Sequence, residues 1–260
     1  MIFLAINFEE TKMDYFEVDS EKVYTNQDNK DFNNAKNIVF SNDFNDDLFN
    51  GIPLLSHSTE RITFGDDFNK PLGFDGFGTF LPSNLKILEL SGRFNQSIDN
   101  LPNGLTNLHF TKNCHFNQPI KKWPSMLEIL RFGDKFNTPI FTLPPNLKIL
   151  EFGDNFNQPI IPLIYPKKLF TICFGNAFNQ QIDDLPDSIE NIKLGNEFNT
   201  EVFYFPRNLK YIEFGKKFNK ISAINQLPPS IKKITLYSDF QFMKEVKEKF
   251  GEIISIKKYV

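Results

Sequence analysis

Asn146-Leu-Lys-Ile-Leu-Glu-Phe-Gly-Asp-Asn-Phe-Asn-Gln-Pro-Ile160 decides the fold, because variants of this stretch recur along almost the whole chain. Phe-Asn marks the period, at Phe44, Phe68, Phe94, Phe116, Phe136, Phe156, Phe178, Phe198 and Phe218; Phe240-Gln241 is a degenerate tenth copy. Steps of 20 to 22 residues dominate, with longer steps of 24 and 26 near the N-terminus. Self-similarity at such a period signals a solenoid, in which each unit buries its apolar face only by stacking on the next.

Within a unit four columns align. An apolar-Pro pair opens it, as in Leu101-Pro102, Trp123-Pro124, Leu143-Pro144 and Phe205-Pro206. A second aliphatic follows four residues after the apolar member, for example Leu105, Leu127, Leu147 and Leu209. Next comes a period-two pair such as Leu88/Leu90, Leu130/Phe132 or Ile212/Phe214, the alternation of a strand with one buried face. Phe-Asn closes the unit, usually with an aliphatic four positions past the Phe (Ile98, Ile120, Ile140, Ile160, Ile182, Val202). So short a unit has no room for a strand, two turns and an average helix of about 11 or 12 residues. The return path is therefore expected to be extended or a single 3₁₀ turn. Proline suits it, lacking the N–H that a ladder needs.

The spacing Leu-x-x-Leu-x-Leu resembles leucine-rich repeats. Phe-Asn-x-Pro-Ile together with Leu-Pro-x-x-Leu is similar to the signature of the FNIP repeat family, over about residues 32–240. The resemblance implies a β-rich solenoid, a leucine-rich-repeat-like right-handed coil with one parallel sheet on the concave face. It also implies a protein-interaction module, and in many members an N-terminal F-box that recruits a ubiquitin ligase. Residues 1–31 lack the Leu-Pro-x-Glu-Ile type of opening, so substrate recognition for a ligase stands as an alternative carried by the resemblance alone.

The organisation expected is an N-terminal cap over 1–31, about ten repeat units over 32–240, and a C-terminal capping helix and strand over 241–260. In the first segment Ile2 to Phe8 and Tyr15 to Val18 read as short strands, and Asp19 to Asp31 as a polar loop. In the last, Phe242, Met243, Val246 and Phe250 share one helical face, Gly251 can close that helix, and Ile254 and Ile256 alternate as a strand.

The column Asn45, Asn69, Asn95, Asn117, Asn137, Asn157, Asn179, Asn199 and Asn219 is structural. It either forms a ladder of amides bonding adjacent turns or only tolerates a tight turn. The outward strand column reads Glu89, His109, Arg131, Glu151, Cys173, Lys193, Glu213, and the column before it Ile87, Asn107, Ile129, Ile149, Thr171, Asn191, Tyr211. On a concave face, Arg131 beside Glu151 and Lys193 beside Glu213 form either an ion-pair ladder on a solvated surface or, with Ile129, Ile149 and Tyr211, a strip that contacts protein.

Net charge is −3, which gives no electrostatic case for nucleic acid. Charge is polarised: residues 1–47 carry eleven acidic and four basic side chains, whereas 207–260 carry twelve basic and five acidic ones. Solvated ends explain this, and so does head-to-tail self-assembly. No segment approaches the roughly 18 apolar residues of a membrane span. The opening Ile2-Phe3-Leu4-Ala5-Ile6 meets Glu9-Glu10 and is a poor signal peptide. Two cysteines in different units, Cys114 and Cys173, fit reduced thiols in an intracellular, cytoplasmic setting.

No nucleophile–base set is identifiable, and no enzymatic activity is expected. His109, Cys114 and His115 come close together, but zinc takes four ligands and nothing near supplies a fourth, so neither metal nor cofactor is expected. The glycine-rich insertion Gly73-Phe74-Asp75-Gly76-Phe77-Gly78 lacks the strand-then-helix context of a phosphate loop. Phe74 and Phe77 in it either pack locally or touch a partner.

Overall fold

A coil closes in some 20 residues because each holds two tight turns and one short strand. In the coil around Asn146, Leu147 N–H donates to Pro144 C=O (3.1 Å), and Phe156 N–H donates to Gly153 C=O (3.3 Å). The first turn recurs at every apolar-Pro pair from Pro82 to Pro228, where proline contributes the acceptor and no donor is missed. The computed structural model describes residues 22–24, 35–48, 55, 57–160 and 164–258, the first of these as backbone alone.

The strands are β1 (Lys22–Tyr24), β2 (Asn37–Phe40), β3 (Arg61–Thr63), β4 (Gly73–Phe74), β5 (Gly78–Thr79), β6 (Ile87–Leu90) and β7 (Asn107–Phe110). They continue with β8 (Ile129–Arg131), β9 (Ile149–Glu151), β10 (Thr171–Cys173), β11 (Asn191–Lys193), β12 (Tyr211–Glu213), β13 (Lys233–Tyr237) and β14 (Ile254–Lys257). All but β4 and β5 form one twelve-stranded sheet in which sequence neighbours are parallel neighbours. This is a β-solenoid of the leucine-rich-repeat kind. β4 and β5 make a small antiparallel hairpin from the glycine-rich insertion, where Phe74 packs edge-on to Phe80 and Phe77 is 86% exposed.

Two departures from the sequence reading have local causes. Lys22–Tyr24 lies within the stretch read as a polar loop, yet it pairs in parallel with β2, where Val23 and Tyr24 suit a strand within polar surroundings. The return path of the ninth unit holds a short helix, α1 (Ile221–Asn225). There no proline interrupts Asn219 to Gln226, and Ala223 and Ile224 turn into the core. The strands read over Ile2 to Phe8 and Tyr15 to Val18 lie outside the described residues. At the C-terminal end α2 (Met243–Phe250) buries Val246 and stops at Gly251, whose φ of 56° is in the region glycine favours.

The core is a spine of phenylalanine. Rings of the Phe-Asn column stack from coil to coil, from Phe44 on Phe68 (5.9 Å) through Phe136 on Phe156 (6.0 Å) to Phe218 on Phe240 (6.1 Å). Within a coil each also faces the second ring of the period-two pair where that is aromatic, as Phe156 does Phe152 (3.8 Å). Where that partner is Leu90 or Leu194 the aliphatic chain fills the same place, fully buried.

The asparagine column links adjacent coils. Asn69 N–H donates to Asn45 Oδ1 (2.9 Å), and the same bond repeats without interruption to Asn219 N–H on Asn199 Oδ1 (3.0 Å). Asn157 Oδ1 also accepts from Gln180 Nε2 (3.0 Å). Asn157→Leu, similar in size but without the acceptor, is expected to cost about 1–3 kcal/mol in urea unfolding. Asn157→Asp keeps an acceptor and is expected to cost less; equal losses for both would argue against the bond as the cause.

Candidate partner-binding face of the sheet

Alternation along each strand sends one set of side chains into the spine and the other to the opposite face of the sheet. On β6, Leu88 and Leu90 are buried while Ile87 and Glu89 face outward. Parallel register then brings the outward residues into rows across the sheet. One row runs Glu89, His109, Arg131, Glu151, Cys173, Lys193, Glu213, Thr235. The row beside it runs Ile87, Asn107, Ile129, Ile149, Thr171, Asn191, Tyr211, Lys233. All nine residues singled out for this face therefore lie on two adjacent rows.

Four ionisable groups of the first row pair off along it. His109 Nδ1 lies 3.3 Å from Glu89 Oε2, and Arg131 Nε donates to Glu151 Oε2 at 2.9 Å. The hydrogen bond from His109 holds the Glu89 carboxyl below its ordinary range, against the opposing effect of burial. Glu213 departs from the sequence reading. Its register partner is Lys193, but its ion pair is with Lys257 of β14 (2.6 Å). Lys257 crosses β13 to reach it, and Glu213 is left only 4% exposed, its Oε2 without a hydrogen-bond partner. Lys193 forms no ion pair with any described residue.

In the second row Thr171 and Asn191 are buried, and Asn191 Nδ2 donates to Thr171 Oγ1 (2.9 Å). Ile129, Ile149 and Tyr211 are each half-buried. The face is thus a mixed strip, apolar beside charged, with its middle closed by side-chain bonds.

Neither cysteine is poised as a nucleophile. Burial pushes the Cys114 thiol up to about 11, and its Sγ rests 3.6 Å from Phe94 C=O. Burial likewise raises Cys173, with Glu151 adding to the effect. Among the described residues no group of three or more His, Cys, Asp or Glu is arranged to hold a metal ion, and no helix is long and apolar enough to cross a membrane.

A second surface went unread in the sequence. Phe141 (78% exposed), Ile164 (86%), Phe203 (58%) and Tyr204 (73%) project just ahead of the apolar-Pro pairs, midway between one strand and the next. The available signal was a change of type within that column, since other coils place Asp99, Lys121 or Asp183 there.

The FNIP Repeat family model matches the chain at residues 78–114, 141–177 and 200–239. None of the curated proteins compared with the chain matches it. Among solved structures it is similar to CroV588, described as a novel circular LRR protein structure, at 24% identity and a TM-score of 0.42. The match covers 86% of this chain and 43% of that one, so the chain spans less than half the length of that protein.

Proposed function

We propose, from the premise that this chain carries FNIP repeats, that it is a binding module holding a protein partner on the outer face of its sheet. The observation that carries the reading is the two-row strip itself. Half-buried Ile129, Ile149 and Tyr211 run alongside charges already paired within the chain, so a partner covers apolar surface without stripping water from lone charges. Among the described residues Lys193 and Lys233 have no acid partner, and Lys193, in the charged row, calls for a carboxylate on the partner. Among the described residues no set suited to covalent chemistry supports an enzymatic reading.

The test is affinity purification from the native cell with wild-type protein, Tyr211→Ala and Lys193→Glu, with melting curves to confirm folding. Glu213 is left alone, because its burial makes any change there a change in stability. The expected result is a partner that both variants lose, by at least about tenfold for Lys193→Glu. A partner retained at full strength by both folded variants would rule out this face.

A further inference from the structure

The exposed column ahead of the apolar-Pro pairs carries a pattern of its own. Four successive coils present Lys121 and Lys122, then Phe141, then Ile164, then Asp183 and Asp184. Hydrogen bonds to the flanking coils fix both ends of this run: in the coil before it, Asp99 Oδ1 accepts from the N–H groups of Lys121 (2.8 Å) and Lys122 (3.1 Å). Asp183 Oδ1 accepts in the same way from Phe203 (2.8 Å) and Tyr204 (3.0 Å). Lys121, Lys122 and Asp184 are exposed, and none forms an ion pair with a described residue. The sequence of surface types is therefore basic, apolar, apolar, acidic.

Turned end for end, this pattern complements itself. A half-turn about an axis between the third and second of these coils from either end sets Lys121 and Lys122 against the acids of another copy, and Phe141 against its Ile164. Such reciprocity is what an isologous two-fold contact requires. Both copies repeat at the same spacing of about 4.8 Å, so all four levels stay matched over roughly 15 Å. Within one chain Lys121 and Lys122 stand three coils from Asp183 and Asp184, about a Debye length or more, and the nearer carboxylate of Asp99 is engaged by main-chain N–H groups. We infer that the chain forms an antiparallel two-fold dimer along this edge, its partner a second copy of itself. The edge lies midway round the coil from the strands, so the outward sheet face of each copy remains open in the dimer.

Light scattering and sedimentation of the full chain over a range of concentrations test this. The wild type is expected to show a dimer that weakens with salt. Lys121→Glu/Lys122→Glu sets like charges together at both ends of the contact and is expected to weaken dimerisation at least about tenfold. Asp184→Lys does the same from the other side. Mixing the two weakened variants places Glu against Lys at one end and restores the wild-type contact at the other, so a heterodimer is expected. A wild-type chain that is monomeric throughout, an open-ended polymer, or a dimer indifferent to both variants overturns the proposal. Partner capture through Lys193 is read separately on the same variants, so loss of the dimer and loss of the sheet-face reading are told apart.

Discussion

Phe156→Ala is expected to lower the free energy of unfolding by about 3–5 kcal/mol, the range for removing a buried aromatic ring. Phe156 is 1% exposed, packs against Phe152 in its own coil at 3.8 Å, and stacks on Phe136 and Phe178 in the neighbouring coils at 6.0 and 6.2 Å. The vacated volume is walled by other rings held by their own stacks, so collapse around it is limited and a cavity remains. In a linear array stability is a sum of unit and interface terms, and this one ring belongs to two interfaces. The loss therefore also weakens coupling between the halves of the chain, and the urea transition is expected to broaden. Phe240, with one stacking neighbour in the column at the end of the spine, is expected to cost less when replaced. Phe77→Ala, on a side chain 86% exposed, is expected to stay within about 0.5 kcal/mol of wild type. If Phe156→Ala were as mild as Phe77→Ala in urea titrations followed by circular dichroism, the spine would not be what holds the coils together.

Legibility follows the period. Positions that repeat in every unit disclose their environment by repetition, which is why the phenylalanine column and the strand alternation at Leu88/Leu90 or Ile212/Phe214 could be read directly. Parallel register then follows, because the buried pair holds the same place in every unit, whatever the length of the return path, and leaves one way to align buried sides. What the period does not carry is interaction across several units. The bond from Lys257 to Glu213 joins residues 44 positions apart through a strand outside the repeat, and nothing in the pattern pairs them. The strand at Lys22–Tyr24 likewise pairs with the edge of β2, a contact the repeat does not disclose although Val23 and Tyr24 suit a strand. On the candidate face, sequence identified the two rows but not their division into paired and unpaired charge. The exposed apolar column was hidden for another reason. Phe141 and Phe203 look like core residues in a sequence where most phenylalanines are core. Only their place in the coil, one step past a buried Ile140 or Val202, turns them outward.

Gly195→Ala is expected to destabilise the fold by about 3 kcal/mol or more, at the upper end of what overpacking costs. The cause is proximity between backbones and not an unusual backbone angle. A methyl group added at Gly195 would stand 1.8 Å from the carbonyl oxygen of Gly175 and 2.4 Å from its carbon. That neighbour is main chain, fixed by the strand and turn on either side, so it has no side-chain rotamer through which to yield. Gly215 meets Gly195 in the same way, and Gly153 meets Gly133, so the column from Gly133 to Gly215 is a seam of direct contact between coils. Forcing one contact apart tilts one coil against the next, and the tilt also disturbs the Asn199 to Asn179 bond and the ring of Phe198 three residues along. Gly104→Ala is the control. A methyl there meets Ser83 C=O at 3.4 Å and the mobile end of Lys86 at 3.5 Å, ordinary contacts. By restricting the unfolded chain, that change is expected to stabilise by about 0.4–1 kcal/mol. Chemical denaturation of the two variants side by side decides the matter, because opposite signs are expected of one chemical change. Equal, small effects would mean the coils are spaced more loosely at Gly195 than the seam requires, and the repeat glycine would then be a turn preference alone.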